Sequence, residues 1–173
     1  MKKFILLSGL LLLFALFFTC EKPQTNKNSS QNEIFNPDAN AKLDIQQAIQ
    51  KANLENKNVL LMFGGNWCPW SHRLYTLFSQ NDSVKTTLDS NYVVVLVDLG
   101  RRNKNMDIDS LYGQPNKLGF PALVVLDGAG QQIHTQETGA LELTEENVKG
   151  HDPQKVIAFL RKWRPTELSK IFY

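Results

Sequence analysis

A chain of 173 residues with 42% hydrophobic and 21% charged residues has the composition of one globular domain with appendages and is too short for two ordinary domains. The formal net charge is +2, and Lys2 and Lys3 at the extreme N-terminus account for it, so the body is neutral and has no electrostatic reason to seek nucleic acid. The two cysteines, Cys20 and Cys68, exclude a disulfide-stapled scaffold and a cysteine-rich zinc module. His72, His134 and His151 lie far apart without metal-ligand spacing, so neither a metal nor a cofactor is expected.

Residues 1–19 read as an export signal. Lys2 and Lys3 form a positive start, and Phe4 to Phe18 carries no charge. That run suits a signal core and is short for a membrane span, which needs about 20 residues. It stops at Phe17-Phe18-Thr19-Cys20 and turns polar. The arrangement resembles a bacterial lipoprotein signal, in which Cys20 would be acylated and become the first mature residue. An uncleaved anchor or ordinary secretion are the alternatives. The polar stretch from Glu21 to Asn36 has almost nothing to bury and reads as a tether of about 20–25 Å in coil. Residues 20–38 are therefore expected to be lipidated cysteine and disordered tether, 39–165 the folded domain and 166–173 a tail. The expected location is the bacterial cell envelope, lipid-anchored and facing the periplasm or the exterior.

Ile45, Ala48, Ile49 and Ala52 recur at helical spacing and predict a helix over about Leu43–Glu55. Val59–Phe63 is wholly apolar and suits a strand covered on both faces. After Gly64-Gly65-Asn66, a helix opens around Cys68-Pro69 and carries Leu74, Leu77 and Phe78, with proline tolerated at the first helical position. Asp82 is expected to cap a short helix through Leu88, and Tyr92–Val97 reads as a second buried strand. Arg101 to Lys117 is polar and loop-like, with at most a short helix near Ile108–Tyr112. Ala122–Leu126, the turn Asp127–Gly130 and Gln132–Thr138 form a hairpin. Asp152-Pro153 opens a last helix bearing Val156, Ile157, Leu160 and Trp163, which Pro165 ends. This order predicts a three-layer α/β/α sandwich in which two parallel strands joined by a right-handed crossover precede an antiparallel hairpin, a mixed sheet of about four strands.

The segment Trp67-Cys68-Pro69-Trp70-Ser71-His72 places a cysteine at the first turn of a helix that follows a buried strand. Unpaired N–H groups and the helix dipole stabilise an anion there, and a thiolate is such an anion. Ser71, three residues on, would offer a hydroxyl to the same sulfur. His72, four residues on, shares the helix face, and its imidazolium form would favour the thiolate further. The competing reading is a buried inert cysteine beside a surface histidine. A metal site begun by Cys68 and His72 is a weaker possibility. Gly64-Gly65-Asn66 lacks the Lys-Ser/Thr of a phosphate loop. Arg101, Arg102 and Lys104 read as a solvated basic turn, Asp98 as a hydrogen-bonding strand terminator, and Glu142, Glu145 and Glu146 as a solvated acidic segment. Ile171-Phe172-Tyr173 is apolar and without an assigned role.

Together, Phe63 to Cys68, Trp67-Cys68-Pro69-Trp70-Ser71 after Val59–Phe63, Val97-Asp98 before a basic loop, Gly119-Phe120-Pro121 and Pro121–Asp127 resemble the thioredoxin superfamily, especially its exported thioredoxin-like members. The likeness runs from about Leu43 to Trp163. It implies a redox site with Cys68 as the exposed nucleophile and Pro121 as a cis proline beside that sulfur. It also implies that Phe120 presents its backbone to an extended substrate, with Trp67, Pro69 and Trp70 around the thiol. Dithiol members carry a second cysteine where this chain has Ser71, and many carry a buried acid where it has Met62. Serine cannot attack a mixed disulfide, so the chain has no internal dithiol couple at this site. The expected activity is thiol-disulfide exchange through one cysteine, by a monomer acting on exported thiol- or disulfide-containing proteins or small thiols, with an external thiol for release. The alternatives are a non-enzymatic client-binding module and a scaffold with an inert cysteine.

Overall fold

The computed structural model describes residues 33–101 and 104–166. The signal, Cys20, most of the tether, Arg102 and Ile171-Phe172-Tyr173 lie outside the described residues. Helix α1 spans Ala41–Glu55, strand β1 Asn58–Gly64, α2 Pro69–Gln80, α3 Asp82–Asn91 and β2 Tyr92–Asp98. A short α4, Met106–Leu111, and a 3₁₀ turn over Pro115–Leu118 lead into β3, Ala122–Leu126. Strand β4, Gln132–Glu137, and α5, Pro153–Lys162, complete the order.

The sheet runs β2-β1-β3-β4. β1 pairs parallel with β2, Val59 opposite Val93 and Gly64 opposite Asp98. β1 pairs antiparallel with β3, and β3 with β4. The two central strands are buried along their whole lengths, as continuous apolar runs require. Strand alternation sends their side chains to opposite layers. Leu60, Met62, Leu123 and Val125 join the core with Leu74 and Phe78 of α2, Leu88 of α3 and Leu160 of α5. Val59, Leu61, Phe63, Val124 and Leu126 pack with Ile45, Ala48 and Ala52 of α1 and Ile108 of α4. The mixed α/β/α sandwich expected from the sequence is therefore the fold.

Caps explain the helix starts. Asn40 accepts from the Leu43 N–H at 3.1 Å, so α1 begins before the expected Leu43. Asn81, not Asp82, caps α3 by accepting from the Val84 N–H at 3.1 Å. Asp152 accepts from the Gln154 and Lys155 N–H groups at 2.8 and 3.4 Å and starts α5. The Tyr92 hydroxyl donates to the Leu160 carbonyl at 2.7 Å, tying the start of β2 to α5, and burial raises this phenol's pKa.

The largest departure from expectation is at the N-terminal side. The polar stretch read as free tether through residue 38 ends earlier, because Phe35 is 0% exposed and belongs to the core under β1 and α2. The Ile34 and Phe35 N–H groups both donate to the Asn66 Oδ1, at 3.0 and 2.9 Å, and the Asn66 Nδ2 returns a bond to the Phe35 carbonyl at 2.8 Å. Ile34-Phe35 is a lone apolar pair in a polar stretch and carries no periodic signal. Phe35→Ala should destabilise the domain by about 3–5 kcal/mol, the usual loss for an emptied aromatic core position. Denaturant unfolding measures it, and a surface-like change below about 0.5 kcal/mol would contradict the packing described.

The acidic segment after β4 also folds back. Glu142 and His151 form an isolated antiparallel bridge, and the Leu143 N–H donates to the Gly150 carbonyl at 3.0 Å. His151 is 5% exposed and its ring nitrogens have no hydrogen-bond partner among the described residues. Burial, with the Arg73 guanidinium adding to it, lowers its pKa from 6.5 to about 4. The unfolded chain thus takes up a proton near pH 6.5 that the folded chain refuses until about pH 4. Stability contributed by neutral His151 is complete above pH 6.5 and drains away as pH falls towards 4. Melting temperatures measured across this window should fall more steeply for the native chain than for His151→Leu, whatever the variant's stability at neutral pH.

Candidate functional site

The site is built where β1 ends. Gly64 and Gly65 carry the chain out of the sheet, and close packing explains both glycines. A Cβ at Gly64 would stand 2.5 Å from the Ser71 Oγ and 2.8 Å from the Phe35 Cζ, and one at Gly65 would collide with the Trp67 indole. Asn66 then spends its amide on Phe35 and its carbonyl on His72, whose Nε2 lies 2.9 Å away. A carbonyl only accepts, so His72 carries its proton on Nε2.

Cys68 is the N-cap of α2 and Pro69 its first residue. The cysteine makes no side-chain capping bond, leaving the first-turn N–H groups to the space beside its sulfur. Across from it, Gly119 at φ 107° brings the chain into the cis Phe120–Pro121 bond, a conformation that favours glycine. The thiol donates to the Phe120 carbonyl at 3.7 Å. Thr138, just after β4, holds the other side of this loop, its hydroxyl donating to the Pro121 carbonyl at 2.5 Å. Met62, whose place many relatives give to an acid, is fully buried and apolar.

The residues expected around the thiol divide in three. Cys68, Phe120 and Pro121 come together as described. Trp67 joins them: its ring meets Phe120 edge-on at a centroid distance of 5.0 Å, and its indole N–H donates to the Gly100 carbonyl. Pro69 is exposed beside them. Trp70 is committed to the segment before α5, with His151 edge-on at 5.5 Å and the Arg73 guanidinium 5.0 Å over its ring.

Three expectations need correction. Cys68 is 4% exposed, so the expected exposed nucleophile is a sheltered one, covered where the loop after β1 meets the Phe120–Pro121 loop. Ser71 offers no hydroxyl to the sulfur. It is 0% exposed, its Oγ has no hydrogen-bond partner among the described residues, and it lies against Gly64 because its helix face turns inward beneath the first turn. His72 turns its ring to Asn66 rather than to the thiol, since the Asn66 carbonyl presents a better acceptor than a sulfur does. The residues sequence reasoning missed are Asn66 and Thr138. The first was legible only as part of a glycine loop, and the second as the end of a hairpin strand.

Comparison with known proteins agrees with this fold. A family model described as thioredoxin-like matches residues 39–128. The spermatogenesis-associated protein 20 of mouse is 34% identical over 67 residues, and that of rat 36%. These matches span 39% of this chain but only 8% of the relatives' length. Among solved structures, a disulphide isomerase from Xylella fastidiosa superposes with a TM-score of 0.67 at 26% identity, covering 77% of this chain and 98% of that one. The C-terminal domain of Neisseria meningitidis DsbD in its oxidised form, at 15% identity and a TM-score of 0.50, covers 71% of this chain and 96% of its own and shares the fold. With its sheet order, its cysteine at the head of α2 and the facing cis proline, the chain belongs to the thioredoxin-like family.

Proposed function

We propose that the chain performs thiol-disulfide exchange through Cys68 alone, as an exported protein held at a membrane by its N-terminus. The observation that carries the exchange is the position of the Cys68 sulfur. It sits at an uncapped helix start, 3.7 Å from the Phe120 carbonyl, in a fold shared with a solved protein described as a disulphide isomerase. In the reaction, the Cys68 thiolate attacks one sulfur of a substrate disulfide. The substrate S–S bond breaks, a Cys68–substrate mixed disulfide forms, and the other substrate sulfur leaves as a thiolate that takes a proton. Release requires an external thiol, whose thiolate attacks the substrate sulfur of the mixed disulfide, forms a new disulfide with it and expels Cys68 as the thiolate. Ser71 cannot substitute for that thiol, because its oxygen is not a nucleophile towards sulfur and points at Gly64.

Clients would be exported proteins or small thiols. The polar residues before Phe35 support a tether, and the charged start followed by an apolar run that ends at Cys20 supports lipidation. A second reading, a client-binding module that traps rather than turns over, is favoured by the 4% exposure of Cys68. An approaching substrate must displace part of this cover before it meets the sulfur.

Three variants separate these readings by turnover of a protein disulfide with an added small thiol. Cys68→Ser should abolish exchange. Ser71→Ala should leave it unchanged and raise stability by about 1 kcal/mol, since it removes a buried hydroxyl without a partner. Ser71→Cys should add reductant-coupled disulfide reduction, because position 71 stands one helical turn from Cys68. A Ser71→Cys protein that closes its disulfide but reduces nothing would favour the binding module. Loss of exchange in Ser71→Ala would give the hydroxyl a role that its orientation denies. The mass of the mature N-terminus tests the anchor: a diacylated Cys20 is expected, and an intact Met1 or an unmodified Cys20 would refute it.

A further inference from the structure

A groove of about 470 Å³ runs along α2 on the side that Trp70 occupies, between that helix and the segment that ends at His151. His72, Arg73, Thr76, Lys149 and His151 line it, and no carboxylate does. Its inner wall is unusual. His151 is 95% buried by its 5% exposure, yet neither ring nitrogen has a hydrogen-bond partner among the described residues. One of those nitrogens carries a hydrogen in every protonation state, so the ring always holds a buried donor that the protein leaves unanswered. The neighbouring Asp152 does not answer it, since that carboxylate caps α5 through the Gln154 and Lys155 N–H groups. Arg73 lies over Trp70, which in turn meets His151, so guanidinium, indole and imidazole form one cluster at the head of the groove.

The groove lies along the helix that Cys68 caps. Trp70 and His72 stand two and four positions after Cys68, which at 1.5 Å per residue is about 3–6 Å along the helix axis. We infer that this groove is a carboxylate-binding subsite, and that it selects thiols and disulfides whose sulfur is followed, a few bonds away, by an acid group. This rests on the exchange reading of Cys68 and specifies its substrate class. A carboxylate bridging Arg73 and the His151 ring would satisfy the buried donor and gain a charge-assisted bond at once, while Lys149 at the rim would attract the anion. Neutral substrates would find the same thiol without that hold.

The probe is dithiodibutyrate, an acyclic disulfide with a carboxylate at each end, compared with its neutral bis-amide. Cys68 thiolate attacks either disulfide, one butyrate or butyramide thiolate leaves, and the adduct is located by peptide mass. The rate ratio of acid to amide is the readout. Arg73→Gln should lower that ratio about tenfold, the effect of one charge-assisted bond, with the amide rate unchanged. Lys149→Gln should lower it less, and Lys51→Gln, a cation of α1, not at all. A ratio unchanged in Arg73→Gln, or lowered equally by Lys51→Gln, overturns the subsite while exchange at Cys68 stands. If Cys68 reacts with neither disulfide, the exchange reading fails and binding alone decides the subsite. In that measurement adipate, which has no sulfur, is titrated into the native chain while the His151 ring resonances are followed. A saturable shift that Arg73→Gln abolishes supports the subsite, and no shift up to about 10 mM, ten times a millimolar Kd, overturns it.

Discussion

Asn66 is the joint on which the site depends. Its side chain makes three backbone bonds, two from the Ile34 and Phe35 N–H groups and one to the Phe35 carbonyl, and its own carbonyl takes the His72 ring. Four bonds from one residue fasten the incoming chain, the loop after β1 and the first turn of α2 together. The position of Cys68, two residues later, follows from that fastening. Phe35 completes it by filling the space beneath Gly64, so that the aromatic ring, the glycine and Ser71 share one small volume. Each excludes a larger neighbour there, as close-packed interiors require.

On the other side of the sulfur the constraint is a loop rather than a helix. Gly119 turns the chain, the Phe120–Pro121 bond is cis, and Thr138 holds the Pro121 carbonyl from the end of β4. The site therefore sits between two elements that the sheet places edge by edge, β1 and β3, which pair antiparallel with Phe63 opposite Ala122. Both strands are buried on both faces, so their ends are held by a large apolar core and the loops need little ordering of their own. Chemistry at such a site depends on how the thiol is reached. The thiol is 4% exposed, and Trp67 lies against Phe120, whose carbonyl the thiol meets.

Ser71 shows how one substitution divides a reaction. In a dithiol relative the inward face of this first turn would carry the sulfur that releases the substrate. Here the same position holds a hydroxyl that is fully buried and unbonded. In the proposed exchange the attacking half keeps its helix start and its facing carbonyl, while no second cysteine stands beside Cys68 among the described residues to resolve the adduct. Met62, buried and apolar, removes the proton carrier that would assist resolution. Both changes fall on the same half-reaction, which is the physical reason for assigning release to an external thiol.

The sequence by itself determined the layers, the element order and the sheet, because each rests on local signals. Val59–Phe63 and Ala122–Leu126 are apolar without interruption, α1 and α5 have helical periodicity, and Asp152-Pro153 is a helix start written in two residues. Cys68 after a buried strand and before a proline was legible for the same reason, and so was the monothiol character of its motif. What a side chain does within the site was not. Whether Ser71 faces the sulfur or the core and whether Phe35 is tether or core depend on groups 31 residues apart in the Asn66–Phe35 bonds and 52 apart in the Cys68–Phe120 bond, and His72 turns to Asn66, six residues away, only because the loop between them folds back. The burial of His151 beside Trp70 is of the same kind. Periodicity records which face of an element is apolar; only tertiary packing decides which polar atom finds a partner there and which is left without one.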